Sequence, residues 1–310
     1  MLRNSFRPQR VQSSSTFRKV AFIGIGHMGW PMAARLVNAG FHVAVFDLDR
    51  ERAAAFSSGI GGESPDTIEA TVESADAVIT MLPKSQHVAQ VITAVRPMLR
   101  AGALVIDMTS GIPRITQEIA ASLESGGILM IDAPVSGGVS RARTGELAIM
   151  VGGPATAVEQ AKPLLLAIGT TVTEVGKIGA GQAMKALNNL VSAGGFLIGV
   201  EALIIGRKFG LDAGKMVDVL NASTGTNNST QKKFRQFVLS RTFDSNFGLD
   251  LMVKDLGIAL EVAQDEGVTV PFAALCSELW ANAAQALGRG KDHTEMARFC
   301  EETSGVPLAH

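Results

Sequence analysis

The sequence of 310 residues contains no tyrosine. A mechanism that uses a tyrosine hydroxyl as its proton donor therefore cannot operate, which excludes dehydrogenases of the Tyr-xxx-Lys type. Cysteine is also scarce, because only Cys276 and Cys300 are present and they show no CxxC spacing. The five histidines form no HExxH or paired-ligand pattern. Disulfide frameworks and metal sites are therefore not expected.

The chain has no excess of charge of either sign, since 28 Lys and Arg residues oppose 29 Asp and Glu residues and leave a net charge of −1. This balance provides no basic field for a polyanion, so we expect no nucleic-acid partner. The least charged stretch, residues 186–200, is shorter than the roughly 20 residues that a membrane span needs. We therefore predict a soluble protein with no membrane partner.

Acidic residues are absent before Asp47, and residues 1–19 contain four arginines, one lysine and four consecutive Ser or Thr residues. An Arg-rich, Ser-rich and acid-free start is typical of a mitochondrial transit peptide, which would place the protein in the matrix. A disordered basic tail explains this composition equally well, and a cytoplasmic location is then expected.

Short β-branched runs alternate with helix-length segments from Val20 to about Ile131. Continuous apolar runs of this kind indicate strands that are buried on both faces of a parallel sheet. After about Val175 the strand-like runs end, and residues 182–208 have the composition of one long helix. We predict an α/β protein with a Rossmann doubly wound sheet over residues 20–178, after a basic extension over residues 1–19. An all-helical domain over residues 179–310 follows, joined by the long interdomain helix.

A glycine-rich loop directly follows the first predicted strand. Its sequence is Gly24-Ile25-Gly26-His27-Met28-Gly29, the G-x-G-x-x-G pattern that binds the pyrophosphate of a dinucleotide at a helix N-terminus. Asp47 ends the second strand, where an acid accepts hydrogen bonds from the adenosine ribose and repels a 2′-phosphate. NAD is therefore favoured over NADP, although Arg50 and Arg52 leave some use of NADP open. A glycine turn that serves only packing, with Asp47 as a helix cap, is the alternative.

Two more strand ends are expected at the same crevice, because ligands of such sheets bind beyond the carboxyl ends of the strands. They are Met81-Leu82-Pro83 and Asp107-Met108-Thr109-Ser110. A strand that simply ends at proline and a cap before Pro113 are the alternatives.

Two further segments contain candidates for substrate chemistry. The turn Ser136-Gly137-Gly138 joins a hydroxyl to two glycine N–H groups and can bind a carboxylate, although a plain glycine-rich connection is equally acceptable. Lys185 and Asn189 are four residues apart near the start of the long helix, so they share one face. Burial would lower the pKa of Lys185 and make its amine a proton donor or acceptor near neutral pH. A lysine that reaches solvent near the helix start is the alternative.

Together these motifs resemble the β-hydroxyacid dehydrogenase family, and within it the 3-hydroxyisobutyrate dehydrogenases. The resemblance covers residues 20–298 and rests on four segments in the family's order, GIGHMG with PMAARL, DAPVSGG, GAGQAMKALNN and KDL. It implies a Rossmann domain, a helical C-terminal domain, NAD as cofactor and reversible hydride transfer without a metal. It further implies a small hydroxy acid as substrate, a role in valine catabolism, and a homodimer or homotetramer.

The resemblance also assigns roles to individual residues. It makes Lys185 the catalytic lysine and Asn189 a residue that orients the substrate. The substrate-binding residues are then Asn189, Asp255 and the turn Ser136, Gly137 and Gly138. Lys254 lies beside the nicotinamide, and the remaining cofactor contacts are Gly24, Ile25, Gly26, His27, Met28, Gly29, Asp47, Met81, Leu82, Pro83, His87 and Ser110.

The segment 223–229 departs from the 3-hydroxyisobutyrate dehydrogenases, which commonly carry Ser-Gly-Arg followed by tryptophan. Its sequence, STGTNNS, predicts a more polar pocket wall that suits hydroxylated substrates as well as methyl-bearing ones. The leading expectation is oxidation of 3-hydroxyisobutyrate to methylmalonate semialdehyde. The alternatives are a sibling enzyme acting on tartronate semialdehyde, threonate or L-serine, and a dinucleotide-binding scaffold without catalysis.

Overall fold

The computed structural model describes residues 17–308, which divide into two compact units with the boundary between Gln182 and Ala183. Most of the basic N-terminal extension, residues 1–16, lies outside the described residues, so the transit peptide stays a prediction. Lys19 already belongs to the first strand, and Phe17 packs into the core of the first unit. The first strand thus begins one residue before the predicted boundary at Val20.

The first unit is a sheet with helices on both faces. Its strands are β1 (Lys19–Ile23), β2 (His42–Phe46), β3 (Ala77–Thr80), β4 (Leu104–Asp107), β5 (Leu129–Asp132), β6 (Val135–Ser136), β7 (Leu147–Gly152) and β8 (Gly169–Gly176). Its helices are α1 (Gly29–Asn38), α2 (Arg50–Gly59), α3 (Ile68–Val72), α4 (Ser85–Val95), α5 (Pro113–Glu124), α6 (Gly138–Thr144) and α7 (Ala155–Ile168), with a 3₁₀ turn at Arg96–Met98.

The strand order is β2-β1-β3-β4-β5-β7-β6, with β8 paired to β7. Strands β1 to β5 are parallel, whereas β7 runs antiparallel to β5 and β6. The chain leaves β1 toward β2 on one side and returns to β3 on the other. This reversal places the loops after β1 and β3 on either side of a crevice, which is where doubly wound sheets bind their ligands.

Residues along each strand alternate between two hydrophobic cores. In β1, Val20 and Phe22 belong to the core that contains α1 and α7 residues. Ala21 and Ile23 belong to the core that α4 and α5 cover on the opposite face. Because both faces are buried, the strands read as uninterrupted apolar runs in the sequence, as predicted.

The second unit is helical and centres on α8 (Ala180–Phe209), a helix of 30 residues that begins at the end of the first unit. The other helices are α9 (Ala213–Asn221), α10 (Asn228–Lys232), α11 (Leu249–Asp265), α12 (Pro271–Leu287) and α13 (Met296–Ser304), with a π-helix at Phe234–Leu239 and a 3₁₀ turn at His293–Glu295.

Helix α8 is long and apolar enough to cross a membrane by length and composition alone, yet 56% of its most apolar window is buried inside the protein. Phe196, Val200 and Leu203 lie in the core of the second unit. Gly194 and Gly195 allow close packing within this unit, since an added Cβ would lie 3.2 Å from the Phe272 ring and 3.4 Å from Asn227 Nδ2, respectively.

Candidate active site

The loop from Gly24 to Gly29 connects β1 directly to α1, and its three glycines have different surroundings. Gly24 has a φ of +93°, and a Cβ there would collide with the carbonyl oxygen of Met81. A Cβ on Gly29 would collide with the carbonyl oxygen of Gly24, so these two glycines let the loop fold closely against the strands. Gly26, in contrast, has nothing within 4 Å of its Cβ position.

The start of α1 fits an anionic group. No side chain caps this helix, no acidic residue lies in its first turn, and the Cβ position of Gly26 just before it is open. Free N–H groups and the positive end of the helix dipole bind phosphate oxygens. The described residues therefore fit the pyrophosphate of a dinucleotide.

Asp47 follows β2 and joins its end to the glycine loop. Its Oδ2 accepts a hydrogen bond from the Ile25 N–H at 2.9 Å, and its Oδ1 accepts one from the Asp49 N–H at 2.9 Å. Arg52 lies 3.3 Å from Oδ1 and also pairs with Asp49 at 3.0 Å. Oδ1 thus accepts two hydrogen bonds, whereas Oδ2 accepts one and keeps a lone pair for a ribose hydroxyl.

The other predicted cofactor contacts follow β3 and β4, which are neighbouring parallel strands. The Leu82 N–H donates to Thr109 Oγ1 at 3.0 Å, so the two strand-end loops are joined directly. Ser110 follows Thr109 and is half-buried, whereas Pro83 and His87 are exposed. The family resemblance assigned no role to Thr109, although its hydroxyl accepts from the Leu82 N–H and so fixes the loop that contains Met81 and Leu82.

The turn after β6 has the backbone that its glycines predict. Gly137 and Gly138 have φ values of +134° and +66°, in the left-handed region that favours glycine. A Cβ on Gly137 would also lie 2.7 Å from Arg141 Cδ, so a larger residue does not fit. Ser136 ends β6 and is half-buried.

Lys185 lies in the second unit with a residue exposure of only 7%. No hydrogen-bond partner for its amine is present within residues 17–308. Burial lowers the pKa of Lys185, the carboxylate of Asp255 opposes this shift, and the nearby Lys254 ammonium adds to it. A buried amine without an ion pair favours its neutral form, which can accept a proton.

Asn189 is held by Asp255, which is only 2% exposed. The Asn189 Nδ2 donates to Asp255 Oδ2 at 2.6 Å, and Lys254 Nζ lies 3.5 Å from Asp255 Oδ1. The resemblance gave Asp255 a substrate-binding role. That role stays a prediction; in the structure Asp255 holds the Asn189 amide and pairs with Lys254, which also gives it a positioning role.

A second buried network at the end of the first unit was not predicted. Asp132 accepts hydrogen bonds from the N–H groups of Gly179 and Gln182, both at 2.7 Å, which fixes the start of α8. The Gln182 side chain donates to Asp107 at 3.3 Å and accepts from the Gly111 N–H at 2.7 Å. Burial raises the pKa of Asp132 to about 7, against the lowering effect of its backbone hydrogen bonds. The sequence contained one signal for this network, because the apolar runs of β4 and β5 end in Asp107 and Asp132.

The polar segment 223–229 forms part of the connection from α9 to α10. Asn227 caps α10, because its Oδ1 accepts from the N–H groups of Ser229 and Thr230 at 2.7 and 3.1 Å. Its Nδ2 donates to the Gly195 carbonyl of α8 at 3.2 Å. Asn227 therefore serves the fold of this unit, while residues 223–226 are exposed.

Two family profiles match consecutive parts of the chain. The first is described as the NAD binding domain of 6-phosphogluconate dehydrogenase and matches residues 19–176. The second is described as the NAD-binding domain of NADP-dependent 3-hydroxyisobutyrate dehydrogenase and matches residues 179–300. The two profiles together span both compact units.

Individual proteins match over nearly their full length. The chain is 34% identical to 2-(hydroxymethyl)glutarate dehydrogenase of Eubacterium barkeri, over 94% of this chain and 97% of that protein. It is 37% identical to 3-hydroxyisobutyrate dehydrogenase of Pseudomonas aeruginosa, over 86% and 92%. The solved structure of Mycobacterium tuberculosis 3-hydroxyisobutyrate dehydrogenase with L-serine superposes with a TM-score of 0.87 at 33% identity, over 92% of this chain and 99% of that one.

Proposed function

Because the chain belongs to the β-hydroxyacid dehydrogenase family, whose members are oxidoreductases that act on CH–OH groups with NAD or NADP, we propose that it oxidises a small 3-hydroxy acid with NAD. The leading substrate is 3-hydroxyisobutyrate. L-serine and threonate are the alternative substrates for oxidation, and tartronate semialdehyde is the alternative substrate for the reverse reduction. The observation that carries this proposal is the buried amine of Lys185 beside the Asn189–Asp255 pair. A protein that only binds a dinucleotide needs no proton acceptor, so a buried lysine in this position favours catalysis over a scaffold role.

The residues that would hold NAD are those of the glycine loop and Asp47. Phosphate oxygens fit the space at Gly26 before α1, and an adenosine ribose hydroxyl fits the free lone pair of Asp47 Oδ2. The anionic carboxylate of Asp47 repels a 2′-phosphate, which favours NAD over NADP. When bound, NAD supplies the carbon that accepts a hydride.

Lys185 supplies the proton chemistry of the proposed reaction. During oxidation the substrate's C–H bond breaks with its electron pair, and the O–H bond breaks so that a carbonyl forms. The proton moves to Nζ of Lys185, whose lowered pKa makes the neutral amine available. In the reverse direction the same ammonium returns the proton to the carbonyl oxygen.

Asn189 orients the hydroxy acid through its side-chain amide. One N–H of Nδ2 is used by Asp255, and Oδ1 accepts from Asn188 Nδ2 at 3.1 Å. The second N–H of the amide remains for the substrate. From the family resemblance, we assign the substrate carboxylate to the turn Ser136, Gly137 and Gly138.

A substrate panel tests this proposal. NAD reduction is followed at constant enzyme concentration with 3-hydroxyisobutyrate, L-serine, threonate and glycerate, and the series is repeated with NADP. The proposal predicts turnover of at least one acid, with NAD preferred. A protein that binds NAD but oxidises none of the acids would instead be a scaffold, and the proposed reaction would be wrong.

A further inference from the structure

The second unit contains another lysine, the half-buried Lys233, beside the helix face that carries the proposed catalytic lysine. Lys185, Asn189, Ser192 and Phe196 follow one another along α8 at spacings of four, three and four residues, so they form one stripe. Lys233 reaches this stripe from the chain after α10, and its Nζ donates to Ser192 Oγ at 3.2 Å. The same Nζ lies 5.9 Å from the centre of the Phe196 ring.

The local sequence explains why Lys233 is directed toward α8. The next residue, Phe234, is fully buried and makes an edge contact with Phe196, with ring centres 5.4 Å apart. A Cβ on Gly199 would lie 2.6 Å from the Phe234 ring, so this glycine makes room for it. Phe234 thus anchors the chain against α8 and holds its neighbour Lys233 at Ser192.

The ammonium of Lys233 has no counter-ion at contact distance. Within residues 17–308 no carboxylate lies within 4 Å of its Nζ, and Ser192 uses only one of its three N–H donors. The nearest acid acting on it, Asp292, is already bonded to Ser245 Oγ at 2.8 Å and to the N–H and hydroxyl of Thr294 at 2.9 and 2.6 Å. Burial lowers the pKa of Lys233 to about 8, so most molecules still carry the charge at pH 7.

A largely buried ammonium without an ion pair destabilises a fold. Ionisable side chains whose pKa is shifted by burial concentrate at functional sites, where a bound ligand can supply the missing counter-charge. Seven residues of helix separate Lys185 from Ser192, about 10 Å along the axis. This spacing suits an elongated acid whose hydroxyl lies at one end and whose second anionic group lies at the other.

We propose that Lys233 is a specificity-determining residue that binds a second carboxylate of the substrate, so that among the acids oxidised by the proposed reaction a hydroxy dicarboxylate is preferred to 3-hydroxyisobutyrate, the candidate that the family resemblance puts first. This inference rests on the proposed function, because it assigns a substrate class to the same site. Lys185 contacts the hydroxyl, and Lys233 forms an ion pair with the carboxylate at the far end of the carbon chain.

Paired substrates test the inference. The kcat/KM values for 2-(hydroxymethyl)glutarate and 2-(hydroxymethyl)pentanoate are compared, since the two acids differ only by the distal carboxylate. We expect the wild type to prefer the dicarboxylate at least tenfold and Lys233→Met to reduce this ratio at least tenfold. The neighbouring exposed Lys232→Met removes the same charge and should leave both rates unchanged. Equal rates for the two acids in the wild type, or equal losses on both acids in Lys233→Met, would overturn the inference.

A binding measurement on the wild type makes the test independent of how well the variant folds. Glutarate and pentanoate are compared as ligands of the NADH-loaded protein by calorimetry, and glutarate should bind at least tenfold more tightly. If no acid is oxidised but glutarate binds preferentially, the proposed reaction fails while the carboxylate site stands. If 3-hydroxyisobutyrate is oxidised and glutarate shows no preference, the reaction stands and the role of Lys233 is wrong.

Discussion

At the scale of single residues, the proposed chemistry depends on how charges are balanced in the helical unit. Lys185 is buried without an ion pair, while Asp255 holds both the Asn189 amide and the Lys254 ammonium. Asp255 touches no reacting atom in this account. It acts by keeping the amide oriented and by raising the pKa of Lys185 toward its usual value.

Replacing Asp255 by Asn should therefore lower kcat more than it changes KM. The amide of the variant cannot balance Lys254, and misorientation of Asn189 should cost about 10- to 100-fold in kcat. Loss of the carboxylate also lowers the pKa of Lys185 further, so the rising limb of the pH profile for oxidation should move to lower pH. Steady-state kinetics across the pH range measures both effects. Asp250→Asn, an exposed substitution on the same helix, is the control, and an unchanged profile in Asp255→Asn would contradict the positioning role.

The raised pKa of Asp132 predicts that the free energy of unfolding depends on pH. Its pKa is about 7 in the folded protein against an ordinary value of 3.8, so the folded state keeps a proton that the unfolded chain has lost between these values. The protonated carboxyl of Asp132 contributes its full share of the free energy of unfolding below about pH 4. This contribution decreases as the pH rises to 7, and above pH 7 it no longer changes with pH.

Urea unfolding at pH 5 and pH 7 tests this linkage. Asp132→Asn should flatten the fall in stability between the two pH values. It should also destabilise the protein by about 1–3 kcal/mol, because an amide oxygen replaces two carboxylate oxygens that accept the Gly179 and Gln182 N–H groups. The exposed Asp66→Asn should do neither. An unchanged pH slope in Asp132→Asn would show that the carboxyl is ionised throughout.

At the scale of secondary-structure elements, substitutions of different glycines in the loop from Gly24 to Gly29 should affect either folding or cofactor binding. Gly29→Ala should destabilise the first unit, since its Cβ collides with the carbonyl of Gly24. Gly26→Ala should fold with a melting temperature near that of the wild type but weaken NAD binding at least tenfold, because the methyl group enters the space assigned to the pyrophosphate. Thermal unfolding and calorimetric titration with NAD separate the two effects.

Gly59→Ala is the matched control for both measurements, since its Cβ position is also open but lies at the end of α2. Both the melting temperature and the NAD affinity of this variant should stay at wild-type values. Tight NAD binding by Gly26→Ala would place the cofactor elsewhere.

Strands β1 to β5 were predictable from the sequence because each is a short apolar run, buried on both faces in β1, β3, β4 and β5 and on one face in β2. β8 was missed because this edge strand contains mainly exposed or half-buried residues and has no apolar run. β6 has only two residues, and its pairing with β7 depends on the tertiary fold. The sequence predicted that Lys185 and Asn189 share one helix face, because they are four residues apart in one helix. The contact of Asn189 with Asp255, 66 residues away, was not, since local patterns do not contain such distances.

At the scale of the whole molecule, the apolar exterior of α8 supports the expected homodimer or homotetramer. Val191, Ile198 and Ile205 repeat every seven residues, and their exposures are 76%, 56% and 70%. A continuous exposed apolar stripe of this kind is a feature of protein interfaces. We therefore propose that α8 contributes to contacts between copies of this chain.

Light scattering coupled to gel filtration tests this proposal. The wild type should have a mass that is a multiple of 32.5 kDa, and Val191→Glu with Ile198→Glu should shift it toward the monomer. Ala121→Glu, an exposed substitution on α5 of the first unit, should leave the assembly intact. A monomeric wild type would contradict the proposal.

The most direct test of the proposed reaction compares the wild type with Lys185→Met. Single-turnover reduction of NAD by the best acid of the substrate panel is followed across the pH range, together with NAD affinity. We predict that the variant binds NAD within about threefold of the wild type, while its hydride-transfer rate falls by about 10²- to 10⁴-fold, the usual contribution of a general base. The rising limb of the wild-type profile, with a pKa below that of an ordinary lysine, should disappear. A variant that keeps both the rate and the pH profile would show that another group accepts the proton.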